Sequence, residues 1–244
     1  MSSEVAFEDA GPSRLEVRIE MTVGTFRLDV AFDAPPGVTV LFGPSGAGKS
    51  TMLSAIAGLS HPSTGRIALG STVWFDGDRR IDVPPEARGI SLLFQSLALF
   101  PHLTALGNVE YGIDRTVPRA ERSRRALVML ERMKVAHVAS RRPPTFSGGE
   151  AQRVALARAF AREPRVLLLD EAFSAMDRDL RYELGADVRF MVGELGIPAV
   201  LVTHHRMEAR AVGDWAVVVE AGRVKAVGAV RDVVPAPERE GERR

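Results

Sequence analysis

Apolar residues recur along this chain with two different periods. Residues 15–20 and 26–32 alternate apolar and polar positions, which predicts strands with one solvated face. The continuous apolar run at 166–170 is typical of a strand buried on both faces, and the run at 38–42 also predicts a strand. Residues 178–195 have helical spacing. Strands that alternate with helices predict an α/β protein in which helices cover a sheet with parallel strands.

The middle of the chain has a different character. From about residue 98 to 162 the pattern is helical, with helices predicted at 104–112, 119–134 and 149–162. After residue 162, strands and helices alternate again, with strands predicted at 166–170, 199–203, 215–220 and 223–227 and helices at 178–195 and 205–212. The end of the chain, from residue 235, is charged and contains proline, and we expect it to be disordered.

Composition narrows the class of protein. A chain of 244 residues with 45% hydrophobic and 26% charged residues fits one large domain, or a core with a smaller subdomain. The formal net charge of +1 gives no support for nucleic-acid binding. No apolar run approaches the ~18 residues of a membrane span, and the acidic start is unlike a signal peptide. Cysteine is absent, which suits a reducing cytoplasm. Any work at a membrane must therefore come from docking onto a partner.

A glycine-rich turn follows the strand predicted at 38–42 and precedes a predicted helix. Backbone N–H groups in such a turn can surround phosphate oxygens, and the helix N-terminus adds positive charge. The pattern predicts that Lys49 reaches the β- and γ-phosphates and that the Ser50 hydroxyl ligates Mg²⁺. The predicted nucleotide-binding residues are Gly43, Pro44, Ser45, Gly46, Ala47, Gly48, Lys49, Ser50 and Thr51.

The choice of lysine in this turn is informative. Lysine occurs only at positions 49, 134 and 225, although lysine and arginine total 32. A compact ammonium on a flexible stem fits between phosphates where a planar guanidinium does not. The rarity of lysine elsewhere supports a phosphate site at Lys49.

Two carboxylates end the predicted strand at 166–170. Ligands of open α/β sheets bind at the carboxyl ends of strands, which is where Asp170 and Glu171 fall. Asp170 is predicted to hold Mg²⁺ through water, and Glu171 to act as the general base that polarises the attacking water.

A second glycine turn, Ser147-Gly148-Gly149, opens the helix predicted at 149–162. It could be a second anion-binding turn for a nucleotide held by a neighbouring subunit. A plain helix N-cap with flexible glycines is the alternative.

These motifs together make the chain resemble the ATP-binding subunit of an ABC transporter over nearly its whole length. The resemblance rests on six segments in the family's order: 43–51, Gln95, 146–150, 166–171, 174–177 and 202–205. It implies a P-loop NTPase (RecA-like) core with an antiparallel β lobe and a helical subdomain. Residues 1–244 would then form a single domain. The core and the β lobe together would occupy residues 14–95 and 156–234, and the helical subdomain would occupy residues 96–155.

The resemblance also implies partners and roles. Two copies pair head-to-tail around ATP and Mg²⁺, on the cytoplasmic side of an integral-membrane permease that a solute-binding protein serves. Ser147, Gly148, Gly149 and Glu150 then face the γ-phosphate held by the opposite copy. Gln95 senses Mg²⁺ and the attacking water, His204 contacts the γ-phosphate, and Asp177 couples the two sites. The other four histidines, His61, His102, His137 and His205, are expected to be hydrogen-bonded structural residues with no role at the nucleotide.

Some positions depart from the family pattern. Phe146 replaces leucine, Glu150 replaces glutamine, and Ala172 replaces the proline that often follows the catalytic glutamate. None removes a group that contacts phosphate. The aromatic residue expected to stack on adenine is replaced by Val23, and Phe26 lies nearby but is expected to face the core. Since stacking on a base contributes about 1–3 kcal/mol, weaker ATP binding or lower base selectivity is expected.

Several segments outside the nucleotide motifs bear on the transported solute. Segments 84–95 and 99–109 resemble importers of oxyanions, sulfate, iron and polyamines, and segments 24–40 and 42–50 look most like molybdate importer ATPases. Many of those carry an extra C-terminal oxyanion-binding domain, which this sequence is too short to include. Molybdate is therefore the leading hypothesis.

Three other functions are alternatives. A soluble ABC ATPase of DNA repair or translation usually has a coiled-coil insertion or two cassettes, and neither is present. A GTPase needs an Asn-Lys pair to read its base, and the only asparagine is Asn108, followed by Val109. A cassette that binds nucleotide without hydrolysing it is disfavoured by Glu171 and His204.

Overall fold

The computed structural model describes residues 13–174 and 176–236. The expected polar start, Ala175 of segment 174–177, and residues 237–244 of the predicted tail lie outside this part of the chain. The strands are β1 (Leu15–Val23), β2 (Phe26–Ala34), β3 (Gly37–Phe42), β4 (Thr64–Leu69), β5 (Thr72–Asp76), β6 (Ile81–Asp82), β7 (Ile90–Leu93), β8 (Val166–Asp170), β9 (Pro198–Thr203), β10 (Trp215–Glu220) and β11 (Arg223–Ala229). The helices are α1 (Lys49–Ala57), α2 (Ala105–Gly112), α3 (Arg119–Arg132), α4 (Gly148–Ala161), α5 (Arg178–Leu195), α6 (Arg206–Val212) and α7 (Val230–Val233).

All of these strands join one mixed sheet. Its order is β6-β5-β4-β1-β2-β11-β10-β3-β9-β8-β7. The strands from β10 through β3, β9 and β8 to β7 pair in parallel. At the other end, β2, β1, β4, β5 and β6 pair antiparallel. The predicted α/β fold, with a parallel core and an antiparallel β lobe, is confirmed.

The parallel strands bury both faces, which explains their continuous apolar runs. Within β8, Leu167 and Leu169 face the apolar cluster that contains the helices α2, α3, α4 and α5. Val166 and Leu168 face the opposite cluster, which α1 shares with the β lobe. β3 divides in the same way, since Val38 and Val40 face the first cluster and Leu41 the second. Helices therefore cover both sides of this part of the sheet.

Most element boundaries agree with the periodicity. α5 and β10 have the predicted bounds, while β9 begins one residue earlier, at Pro198. The helix predicted at 119–134 ends at Arg132, because Lys134 takes a left-handed conformation with φ 55°. The short helix α7 was not predicted. It packs against β10 and β11 and covers their ends.

Within the described ranges, no helix is long and apolar enough to cross a membrane.

Candidate functional site

The predicted catalytic residues come together because of strand order. β3, β9, β8 and β7 are neighbours in the parallel part of the sheet. Their carboxyl ends therefore lie at one edge, and the loops that follow them start side by side. These loops carry four of the predicted segments, at 43–51, Gln95, 170–171 and 204–205. The site is thus made by topology from segments far apart in the chain.

The first loop curls between β3 and α1. Gly46 and Gly48 have positive φ, at 79° and 96°, a conformation that glycine adopts without strain. Gly48 also needs to be small, since a Cβ there would lie 2.9 Å from the Phe26 ring and 2.8 Å from Leu28 Cδ1. The β1–β2 hairpin therefore packs against the loop and holds it. The turn leads directly into the N-terminus of α1, as a phosphate-binding loop requires.

Lys49 lies inside this loop and is buried. Its Nζ donates hydrogen bonds to the carbonyl oxygens of Gly43 and Pro44, each at 2.8 Å. Burial lowers the pKa of Lys49, whereas the negative charges of Glu171 and Asp170 oppose that shift. The ammonium is thus held at the centre of the loop, facing two carboxylates.

Ser50 and Asp170 are joined across the site. The Ser50 hydroxyl donates to Asp170 Oδ1 at 3.0 Å. Burial raises the pKa of Asp170, and so does the neighbouring charge of Glu171, while Ser50 and Lys49 act in the opposite direction. Two hard oxygen atoms at this spacing, close to a phosphate loop, match the donors that Mg²⁺ prefers.

Glu171 and His204 form the second pair. His204 Nδ1 lies 3.2 Å from Glu171 Oε1, and both side chains are partly exposed. The backbone of Glu171 is left-handed, with φ 47°, which is strained for a residue with a side chain. Its N–H donates to Val202 O in β9, and Ser174 donates to its carbonyl from both N–H and Oγ. The fold thus holds a strained residue at the point where a general base was predicted.

The loops around this pair are braced. Gln95 Nε2 lies 3.4 Å from Ser174 Oγ, which links the end of β7 to the loop after β8. Thr203 Oγ1 donates to the buried carboxylate of Glu208 and accepts from the N–H of His205. The segment that carries His204 is therefore fixed from inside the protein.

The second glycine turn belongs to a different surface. Ser147 is the N-cap of α4, and its Oγ accepts from the N–H of Glu150 while Glu150 Oε2 accepts from the N–H of Ser147. This reciprocal pair is a capping box. A Cβ on Gly149 would lie 2.8 Å from Leu180 Cδ2, so a larger residue there would require the Leu180 side chain of α5 to move. The N-cap interpretation of Ser147 is confirmed, and binding of phosphate there stays a prediction.

Ser147, Gly148, Gly149 and Glu150 share a cleft of about 560 Å³ with Asp177. Asp177 caps α5, where its carboxylate accepts from the N–H of Leu180 at 2.9 Å. Within the described ranges, no hydrogen bond joins these residues to Lys49, Ser50, Asp170, Glu171 or His204. The predicted site is therefore split into two surfaces of one chain.

Sequence reasoning missed several neighbours of these motifs. His137 Nε2 lies 3.0 Å from Glu150 Oε1, so His137 is a hydrogen-bonded histidine of the surface, and its lack of a role at the nucleotide stays a prediction. Arg141 also pairs with Glu150, at 3.2 Å. The N–H of Ser147, then His137 and Arg141, lower the pKa of Glu150 to about 2. No motif marks these two residues, because their pairing depends on how the loop before α4 folds back.

Among the residues that the structure describes, neither of the two side chains expected near adenine is an exposed aromatic ring. Val23, at the end of β1, is 53% exposed. Phe26 is half-buried and packs against Gly48, as its predicted orientation toward the core requires. The contact to the base stays open.

This geometry defines a nucleotide-binding α/β protein of the P-loop class. A glycine loop surrounds Lys49, and the carboxylates of Asp170 and Glu171 lie beside it. The model of one family, ABC transporter, matches residues 28–174. The chain belongs to this family, and like its members it is an ATPase.

Similar proteins include several import ATP-binding proteins. Molybdate/tungstate import ATP-binding protein WtpC of Archaeoglobus fulgidus is 42% identical over 222 residues, covering 91% of this chain and 90% of that protein. Molybdenum import ATP-binding protein ModC of Brucella melitensis is 40% identical, covering 94% of this chain and 64% of that protein. Fe(3+) ions import ATP-binding protein FbpC of Agrobacterium fabrum is 41% identical, covering 90% of this chain and 62% of that protein. The chain thus spans nearly all of WtpC but under two thirds of the other two.

A solved structure supports the fold. The dimeric structure of MJ0796, described as a bacterial ABC transporter cassette, has a TM-score of 0.74 and 29% sequence identity, covering 89% of this chain and 99% of that one.

Proposed function

We propose that this chain powers the import of molybdate or a related oxyanion, as a pair of identical ATPase subunits attached to a membrane permease. The observation that carries the proposal is the cluster at the carboxyl edge of the sheet. There Lys49 lies in a glycine loop, Ser50 contacts Asp170, and Glu171 contacts His204. This arrangement has a place for the phosphates, a pair of metal ligands and a candidate base.

The phosphate loop and Lys49 bind the triphosphate. Lys49 already donates to two carbonyl oxygens of the loop, so it can exchange these for phosphate oxygens at little cost. The N–H groups of the turn and of the first turn of α1 supply further donors. Their combined role is to fix the β- and γ-phosphates in place.

Ser50 and Asp170 are the proposed Mg²⁺ ligands, Asp170 through water, and Gln95 completes the set. The oxygen atoms of Ser50 and Asp170 fit this ion, and the raised pKa of Asp170 reflects a buried carboxylate that a cation would favour in its charged form. When bound, Mg²⁺ neutralises charge on the phosphates.

Glu171 is the proposed general base. It accepts a proton from a water molecule as the water oxygen bonds to the γ-phosphorus and the bond to the bridging β–γ oxygen breaks. His204 contacts the same carboxylate at 3.2 Å and is placed to contact the γ-phosphate oxygens. The backbone bonds of Glu171 keep its carboxylate at this position.

The second glycine turn requires a second copy of the chain. Ser147, Gly148 and Gly149 lie on a separate cleft, together with Glu150 and Asp177. A head-to-tail pair would place this cleft over the phosphate loop of the opposite copy, with two ATP molecules between the subunits. The dimeric cassette among the solved relatives supports this arrangement.

The permease is proposed to dock beside Gln95. Phe94 is 42% exposed and Tyr111 is 57% exposed, so both can contribute apolar surface to a contact with the permease. A groove of about 260 Å³ adjoins them, lined by residues of β7, α2 and α4. An apolar segment of the permease placed there would be in contact with the loop that carries Gln95. Docking at this groove would put the ATPase on the cytoplasmic face of the membrane.

Molybdate is proposed as the solute because two of the similar proteins are molybdate or molybdenum import subunits. An iron importer is the second candidate, since FbpC is about as similar. The residues of the ATPase contact nucleotide rather than solute, so the choice must be tested on the whole transporter.

The test uses the complete complex of ATPase, permease and solute-binding protein in proteoliposomes. We expect molybdate and tungstate to stimulate ATP hydrolysis several-fold, and sulfate and Fe³⁺ to leave it unchanged. The Glu171→Gln variant in the same complex controls for contaminating ATPases. Stimulation by Fe³⁺ or sulfate alone would contradict the proposed solute while leaving the ATPase assignment intact.

A further inference from the structure

The loop that carries Gln95 contains two strained residues in succession. Leu97 has φ 55° and Ala98 has φ 44°, both in the left-handed region. Residues other than glycine rarely adopt this region, because the Cβ crowds the backbone. The loop therefore needs an interaction that keeps it in this shape.

Arg158, on α4, supplies that interaction. It donates one hydrogen bond to Ala98 O at 2.7 Å and a second to Leu97 O at 2.8 Å. Its guanidinium also lies over the Phe100 ring, 5.4 Å from the centroid. One side chain thus contacts the two strained residues and the aromatic ring that follows them.

The electrostatics of Arg158 make this contact hard to replace. Among the described residues no carboxylate pairs with its guanidinium, and burial lowers its pKa. Arg158 is partly buried, and a partly buried cation without a counter-ion depends on hydrogen-bond acceptors. The carbonyl oxygens of Leu97 and Ala98 are these acceptors, so the same two hydrogen bonds satisfy the guanidinium and hold the strained loop.

We propose that Arg158 is a positioning residue that holds the Gln95 loop in its strained conformation and ties it to α4. This inference rests on the proposed function, in which Gln95 senses Mg²⁺ and the attacking water. The same helix begins at the Ser147 cap, so the Gln95 loop and the second glycine turn are attached to one rigid element. A shift of the Gln95 loop would therefore be passed to the turn that faces the opposite copy.

The first measurement is hydrogen exchange of amides 96–100 in the full chain without nucleotide. Arg158→Ala should raise exchange there about tenfold or more, because two charge-assisted hydrogen bonds are lost. Adding Ala98→Gly should reverse part of this change, since glycine takes the left-handed conformation without strain. Ala98 is exposed, so removing its methyl group leaves the core intact.

The second measurement is ATP hydrolysis with Mg²⁺. Arg158→Ala should lower kcat about tenfold while KM for ATP stays within about twofold, because the phosphate loop is untouched. Arg158→Ala/Ala98→Gly should recover at least part of the lost kcat. Arg158→Lys should have an intermediate kcat, because an ammonium keeps the charge but not the planar set of donors of a guanidinium.

Two matched controls separate positioning from general destabilisation. Glu163 is also left-handed, with φ 53°, but lies beyond the end of α4, so Glu163→Gly should not rescue Arg158→Ala. Arg162 is an exposed arginine of the same groove, and Arg162→Ala should leave exchange at 96–100 unchanged.

The proposal is overturned if Arg158→Ala leaves both exchange and kcat near wild type, or if Glu163→Gly rescues as well as Ala98→Gly. A wild-type chain that hydrolyses no ATP would refute the proposed function instead, while the exchange measurement would still test Arg158.

Discussion

Lys49 shows how much of the chemistry depends on a single side chain. It is one of three lysines in the chain, and it is the buried one, held by the carbonyls of Gly43 and Pro44. Its position depends on a flexible stem that ends in a compact charge. The shape of the group therefore matters as much as its charge.

Lys49→Ala should remove a charge-assisted contact of about 1.5–3 kcal/mol, which weakens ATP binding and nearly abolishes hydrolysis. Lys49→Arg keeps the charge but not the shape, and it should also be nearly inactive. Isothermal titration with ATP and a phosphate-release assay measure the two effects.

Lys225→Ala is the matched control, because Lys225 is an exposed lysine whose nearest carboxylate, Glu220, lies 3.9 Å away. Equal activity of Lys49→Arg and wild type would contradict the argument from shape.

At the scale of the element, α4 links the second glycine turn to the rest of the protein. Its first turn is closed by the reciprocal bonds between Ser147 and Glu150, and Glu150 also pairs with His137 and Arg141. The family pattern has glutamine at this position, which can keep the hydrogen bond but not the charge. The carboxylate thus adds a charge-dependent contribution to the stability of α4.

The sign of this contribution follows from the pKa of Glu150, which is lowered from 4.5 to about 2 in the folded state. A carboxyl with a depressed pKa stabilises the fold above its ordinary pKa, and this stabilisation is lost as pH falls toward about 2. Glu150→Gln should therefore lower Tm at pH 7, and the difference from wild type should shrink between about pH 4.5 and 2.

Thermal unfolding over this pH range, followed by circular dichroism, measures the effect. Glu131→Gln serves as the control on an exposed glutamate of α3. A difference in Tm that is independent of pH would show that Glu150 acts by hydrogen bonding alone.

At the scale of the whole molecule, the two halves of the predicted site lie on separate surfaces of the chain. The phosphate loop and the carboxylates share the edge of the sheet, while Ser147 and Asp177 line the other cleft. In the proposed head-to-tail dimer, a second copy places the two surfaces against one nucleotide. In that proposal the pair closes on ATP and hydrolysis reopens it.

Glu171→Gln should bind ATP, fail to hydrolyse it and accumulate as a dimer, which light scattering after size-exclusion chromatography detects. Gly148 provides a specific control, because a Cβ there meets no atom within 4 Å in the chain, whereas one on Gly149 would meet Leu180. Glu171→Gln/Gly148→Glu should therefore keep its Tm yet stay monomeric with ATP. Dimerisation of this double variant would refute the head-to-tail arrangement.

Residue spacing and apolar periodicity predicted those parts of the protein whose conformation depends on residues close in the chain. The phosphate loop follows from glycines and a lysine at fixed spacing, and α5 and β10 follow from periodicity over their own length. α7 was missed because four residues are too few to show a period. The end of α3 was misplaced by two residues, since a left-handed Lys134 rather than a glycine follows it.

The sequence by itself determined most of the elements and the phosphate loop, because each depends on spacing between residues close in the chain. It also determined the family, because each of the six motifs is a short local pattern. Only the tertiary structure decided which strands are neighbours, and so that Ser50 meets Asp170 and Glu171 meets His204. It alone revealed Arg158 beneath the strained Gln95 loop and His137 beside Glu150. These contacts join residues whose side chains are brought together by packing of the whole sheet and its helices, and no local pattern of apolar and polar positions specifies them.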